Sequence, residues 1–439
     1  MAHRSAAAAG ARPLEDDVAA LHAHLPAFVK PADVVAALEA LVARSETEAD
    51  VCASALAPFD ESAHLEGFLG LPGLEELANR WHYGNYVAVR GKDPEEEGGK
   101  VFESMPLYTR LGMHLMFYGA LQIELLRTSV IIKLLKELSE REGRIYDSPQ
   151  SIQSIPSFIK TYSLSLDELL QPDIAKYSNF NDFFHRKLKP GSRPVKDPEN
   201  TALFCSAADS RLTVYPSVGA AQQFWIKGCH FSIPSLIGEI PRSVRARMFL
   251  GGSIAIFRLA PQDYHRFHCP IDGVIGDITE IPGQYYTVNP MAVNESCFDV
   301  FTENRRSVMY MTHKQSSAPV AIVAIGAMLV GSIVWTVTKG SVVNRGDELG
   351  YFAYGGSTVV VIFPPGVCQF DEDLLENSVR PIETLVKVGE SLGKSVLSQA
   401  AFDEEAVLAA ADKKLDASED SSSSPFVRLK GVMRKLCCI

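Results

Sequence analysis

The sequence predicts an α+β fold in which an N-terminal helical, membrane-facing region precedes a β-rich domain, and three observations carry the prediction. Apolar residues between Leu107 and Leu138 recur at helical spacing, whereas from about residue 200 short Val, Ile, Phe and Tyr runs are punctuated by Gly and Pro. The longest uncharged stretch, Ala318 to Val337, is divided by Pro319, Gly326 and Gly331 and is rich in Val and Ile, so it reads as buried strands and not as a membrane span. With 439 residues, 46% of them hydrophobic and 22% charged, the chain can bury a large core without disulfide staples.

Residues 1–104 read as a variable, Ala-rich region, helical or partly disordered. Val18, Leu21 and Leu25, then Val35, Leu38 and Val42, fall at helical spacing, and Lys92 to Lys100 forms a charged, Gly-containing break. Residues 105–195 form the helical region. Arg110, His114, Glu124, Arg127 and Lys133 interrupt its apolar pattern, which leaves a core helix or a helix lying in a membrane interface. Residues 196–395 are the β-rich domain, where Val343 to Gly350 reads as the turn and following strand of a barrel-sandwich hairpin, with Gly346 permitting the turn. Residues 396–439 are a tail, acidic from Asp412 to Asp420 and basic after the hinge at Ser421 to Pro425, where Arg428, Lys430, Arg434 and Lys435 occur without an acid. The terminal Cys437-Cys438-Ile439 is not a prenylation box, because Leu436 holds the required cysteine position; palmitoylation and a lipid-free tail both stay open.

A net charge of −11 argues against a protein that coats nucleic acid. The eight cysteines are dispersed, with no C-x-x-C pair and no zinc-like spacing, and read as reduced thiols; no metal is expected. Ala6 to Ala9 is too short an apolar run for a secretory signal, and Glu15, Asp16 and Asp17 end the faintly transit-like start early.

Three strings carry candidate chemistry. Gly355-Gly356-Ser357-Thr358 places a serine at the mouth of the strand Val359 to Phe363, although such a string is also ordinary turn chemistry. His265 and His268 lie three apart, as structural histidines, half a metal site or a base would. Asp209, in Ser206-Ala-Ala-Asp209, sits at a strand edge, where a solvated turn is the plain alternative. An acid, a histidine and a serine together can activate a hydroxyl. Ser357 is not in a G-x-S-x-G elbow, however, and the glycine before it offers an unhindered carbonyl, which suits self-cleavage better than hydrolysis of another molecule.

These strings belong to a longer ordered set: Phe180-Asn-Asp-Phe-Phe-His-Arg-Lys-Leu-Lys-Pro-Gly-Ser-Arg-Pro194, Trp225-Ile-Lys-Gly, Arg258 to His268, Tyr286-Thr-Val-Asn-Pro290, Phe301-Thr-Glu-Asn304, Gly326, Val330-Gly-Ser332 and Gly355 to Thr358. On them the chain resembles the phosphatidylserine decarboxylase family from about residue 105 to 395, in its eukaryotic Gly-Gly-Ser-Thr branch. Asp209-Ser210 departs from the Asp-Gly of many members, and no lipid-binding C2 module is recognisable.

The resemblance implies a pyruvoyl-dependent enzyme that converts phosphatidylserine to phosphatidylethanolamine and CO2 after cleaving itself between Gly356 and Ser357. Ser357 would attack the Gly356 carbonyl with His268 as base and Asp209 as its orienting carboxylate. The ester would then eliminate, giving a β chain of residues 1–356 and an α chain of 357–439 that begins with pyruvoyl in place of Ser357. That group replaces pyridoxal phosphate as electron sink. His265 would hold the substrate carboxylate or reprotonate the Cα. The implied partners are a phospholipid at a membrane surface and the two product chains, with no nucleic acid; a homo-oligomer stays open. The implied location is peripheral, on the cytosolic face of endoplasmic reticulum, Golgi, endosome or vacuole, ahead of the mitochondrion. Decarboxylation of a free aromatic amino acid such as tryptophan is the nearest rival. A processing-dead membrane-binding protein is a second, and it would require loss of Asp209, His268 or Ser357.

Overall fold

The computed structural model describes residues 84–96, 98–104, 129–224, 231–286, 288, 293, 299–327, 332–353, 357–380, 382–397 and 401–422. The helices expected within residues 1–60, the first part of the 107–138 pattern, Trp225 to Gly228, Gly355 and Gly356, and the basic tail lie outside the described residues.

Ten strands form the main sheet, in the order β11 (Val342–Val343), β7 (Gly273–Ile281), β8 (Arg306–His313), β9 (Pro319–Gly326), β13 (Ser357–Phe363), β5 (Ser253–Leu259), β4 (Ser210–Tyr215), β15 (Glu383–Val386), β1 (Gly84–Val89) and β2 (Lys100–Ser104). Neighbours run antiparallel except β1 and β15. The central strands β9, β13 and β5 are buried along nearly their whole length, which is why they read as continuous Val, Ile, Ala and Phe runs without polar alternation. Two smaller sheets flank this one: β10 (Ile333–Trp335), β12 (Glu348–Phe352) and β6 (Arg266–His268), and β14 (Cys368–Phe370), β16 (Ser391–Ser395) and β3 (Leu203–Cys205). Ala318 to Val337 thus contributes β9 and β10, as its Pro and Gly breaks predict.

Helices cover the sheet. Of α1 (Ser129–Asp147), α2 (Ile155–Tyr162) and α3 (Phe180–Phe184), the first carries the i,i+4 pairs Lys133–Glu137 and Lys136–Glu140. Tyr146, Ile155, Phe158, Phe180, Phe183 and Phe184 of these helices form a core of their own, with rings meeting edge to face. Along the rest of the chain come α4 (Val218–Phe224), α5 (Ile233–Ile237), α6 (Val244–Met248), α7 (Val300–Glu303), α8 (Glu372–Val379) and α9 (Glu404–Ser422). Ser378 of α8 accepts the β4 hydrogen bond from Val214 N at 2.9 Å, and Asp412 of α9 pairs with Arg247 of α6 at 2.7 Å. No described helix is long and apolar enough to cross a membrane.

The structure departs from the sequence reading in three places. Residues 84–104 are the hairpin β1–β2 and not helix or disorder: Tyr86, Val87 and Val89 face Phe102, Val101 and the backbone of Gly99, and the charged segment 92–100 is their turn. The turn after Val343 forms, with Gly346 at φ +83°, but β11 joins the main sheet and β12 the second, so the strands beside it do not pair with each other. The helix α9, propagated by its Ala-rich start, runs through the acidic stretch to Ser422, so the first two residues of the expected Ser421 to Pro425 hinge are helical.

Candidate active site

Ser357 opens β13, where its backbone pairs with Leu259 on one side and Gly326 on the other. It is completely buried, and its Oγ has no hydrogen-bond partner among the described residues; neither has Thr358 Oγ1. A hydroxyl in an apolar core without a partner costs stability, so its presence at a sheet centre points to chemistry. From Leu259, beside Ser357, the chain makes a short excursion and returns as β6, and the His265 carbonyl accepts from Phe352 N at 3.0 Å just before β12 leads back toward Ser357.

That excursion is clamped. The Asp263 carboxylate accepts from Ala260 N at 2.7 Å and pairs with Arg211 of β4, which also binds Glu103 of β2. The Asp263 carbonyl accepts from Arg186 Nη2 at 3.2 Å and from His265 Nδ1 at 2.9 Å. Since a carbonyl only accepts, His265 Nδ1 carries the hydrogen and Nε2 the lone pair. Nε2 is buried without a partner among the described residues, and the ring packs against Phe184 of α3 with centroids 3.9 Å apart and planes tilted by 36°. Complete burial, aided by the nearby Arg186 and Arg211 charges, pulls the His265 pKa down to about 3.

His268 ends β6. Its backbone N donates to Ala207 O at 2.7 Å, which brings the Asp209 loop alongside. The ring is held at both nitrogens: Nδ1 donates to Gly346 O at 2.8 Å, and Nε2 lies 3.1 Å from Tyr264 Oη. Gly346 can offer that carbonyl because its left-handed backbone tolerates no side chain; an added Cβ would come within 2.5 Å of Val195. Burial lowers the His268 pKa, partly offset by the Gly346 bond and by the Glu348 and Asp209 charges.

Asp209 is buried just before β4, and its carboxylate is bound by Arg193 and by Val388 N at 2.9 Å. Asp209 and His268 share no hydrogen bond; the carboxylate acts on the ring through space. Arg193 also binds Glu168 Oε2 at 2.9 Å, and these bonds outweigh burial in holding its guanidinium charged. Ser210 is the first residue of β4 and has no positive φ, so a serine fits there without strain. Sequence reasoning gave no role to Arg193, Arg211 or Tyr264, and gave Gly346 only the turn. Arg193 and Tyr264 lie in the strings that carried the resemblance, but spacing alone does not reveal whom they bind.

The phosphatidylserine decarboxylase family profile matches residues 180–394, which contain all four candidate side chains. The phosphatidylserine decarboxylase proenzyme of Fusobacterium nucleatum subsp. nucleatum is 36% identical over 258 residues, covering 59% of this chain and 83% of that protein. The chain belongs to the phosphatidylserine decarboxylase family. Within that family, proenzyme 3 of Schizosaccharomyces pombe is 48% identical over 294 residues and proenzyme 2 of Oryza sativa subsp. japonica 46% over 287, each match covering about two thirds of this chain. The chain spans 30% and 45% of those two relatives' lengths.

Proposed function

We propose that the chain is a self-processing, pyruvoyl-dependent decarboxylase converting phosphatidylserine to phosphatidylethanolamine and CO2. The observation that carries this is the buried Ser357 Oγ, unpartnered among the described residues, at the head of a central strand and paired through its backbone with Leu259, from which the chain runs on to His265 and His268. Ser357 Oγ attacks the Gly356 carbonyl while His268 takes its proton and returns one to the departing Ser357 nitrogen, so the peptide bond exchanges for an ester; removal of the Ser357 Cα proton expels the Gly356 carboxylate from Cβ, which separates residues 1–356 from 357–439, and water then displaces the nitrogen of the resulting dehydroalanine as ammonia to leave a ketone. Gly356 lies outside the described residues.

The orphaned Ser357 Oγ and His265 Nε2 fit a pyruvoyl site, since both await a partner in a dry environment. A pyruvoyl group made from Ser357 supplies the carbonyl that condenses with the substrate amine and takes up the electron pair left when CO2 departs. His265 offers Nε2 as an acceptor in the state described; a substrate carboxylate brought beside it favours the protonated ring, which can then hold the anion or return a proton to Cα. Phe184, Arg186 and Arg211 keep that ring in place. The reading takes residues 105–195 as a helical region facing the membrane and 196–395 as the catalytic domain, with the enzyme peripheral on the cytosolic face of the endomembrane system.

The test is a denaturing gel and an assay on one preparation, with phosphatidylserine and free tryptophan side by side. The expected result is two chains, CO2 release from the lipid alone, and a single inactive chain for Ser357→Ala. Turnover of tryptophan and not of lipid would move the substrate to the rival class, and activity in an uncut chain would remove the mechanism.

A further inference from the structure

The base assigned to self-cleavage has a partner of its own. His268 Nδ1 faces the Gly346 carbonyl at 2.8 Å, which cannot donate, so Nδ1 carries the ring hydrogen and Nε2 the lone pair. The Tyr264 hydroxyl at 3.1 Å therefore donates to Nε2. Asp209, the residue expected to orient the ring, is instead committed to Arg193 and Val388 N. We propose that Tyr264 is a positioning residue for His268 in self-cleavage, fixing the ring in the tautomer whose Nε2 carries no hydrogen and giving up its bond when Nε2 takes the Ser357 proton. This inference rests on the self-cleavage reading above. Tyr264 is buried, and burial raises the pKa of its phenol, so it stays a donor throughout the working range. A bond donated to the neutral ring disfavours its protonation. The other charges facing the ring are Glu348 across the β6–β12 pairing and Asp209, which favour protonation, and Arg266, which opposes it.

The full chain, made by cell-free translation at a series of pH values and followed by gel, provides the test. Tyr264→Phe should cleave roughly 10-fold more slowly at neutral pH, and the midpoint of its rate against pH should move upward, because the neutral ring has lost its donor. Site-specific 3-fluorotyrosine at position 264, a stronger donor of almost the same shape, should move the midpoint downward and covers the case in which Tyr264→Phe folds poorly. An unmoved midpoint in both, whatever the rate, overturns the proposal while leaving His268 as base. Undiminished cleavage in His268→Ala overturns the self-cleavage assignment itself, and the proposal with it.

Discussion

Arg193 holds both oxygens of the Asp209 carboxylate, with Nε 2.9 Å from each and Nη2 2.6 Å from Oδ2. The pair lies between the segment after α3 and the start of β4, so it also ties the helical region to the sheet. Both side chains are only 11% exposed. Removing one partner of such a pair leaves a buried charge uncompensated, at a cost of about 3–5 kcal/mol. Arg193→Met should therefore lower the unfolding free energy by a comparable amount, seen as a lower denaturant midpoint, and adding Asp209→Asn should recover part of the stability without restoring self-cleavage. A single variant that unfolds at the wild-type midpoint would show that the ion pair is not what fixes this loop.

The proposed roles separate the two histidines by timing. His265 takes part in neither hydrogen bond that holds the His268 ring, so His265→Ala should still self-cleave yet decarboxylate about 10²–10⁴-fold more slowly, the usual worth of a positioned proton donor. Cleaved protein with full activity would give His265 a structural role.

Acid should weaken the fold through the same residue. The pKa of His265 is about 3 when folded, against about 6.5 in an unfolded chain. Between those values the unfolded state binds a proton that the folded state refuses, so this contribution is intact above pH 6.5 and declines as pH falls toward 3, by at most about 1.4 kcal/mol per unit. Burial shifts His185, His268 and His313 in the same direction. Urea midpoints at pH 7, 6 and 5 should fall in the wild type and fall less steeply in His265→Phe; parallel slopes would remove His265 as a source of acid sensitivity.

The sequence shows the central strands plainly because both their faces are buried and the local residue pattern carries that fact. It hides β1 and β2, since the partner that makes Val87 a core residue is Glu383 on β15, far along the chain. The site divides in the same way. Ser357, His268, Asp209 and His265 are legible from ordered strings, but the bonds of Asp209 to Arg193, of Arg211 to Glu103 and of His268 to Gly346 depend on which loops the topology brings together. Tyr264 stands in the most recognisable string of all, and its role became visible only when Gly346 fixed the tautomer of its neighbour.

Membrane docking is the last expectation. In the proposed reaction a lipid headgroup has to reach the Ser357 end of the sheet while its acyl chains stay in the bilayer, and no described helix is long and apolar enough to span one. The apolar face of the 107–138 pattern would give salt-resistant insertion, whereas Arg428, Lys430, Arg434 and Lys435 would each add about 1 kcal/mol of salt-sensitive attraction to an anionic surface. The acidic residues of α9 precede that basic segment, and Asp412 is already engaged by Arg247, so this acid at least does not need the tail as its partner. Deleting residues 423–439 leaves α9 complete and should leave self-cleavage unchanged, while flotation with anionic vesicles should weaken most at low salt. Equal flotation of full-length and truncated chains at every salt concentration would leave the helical region as the sole docking element.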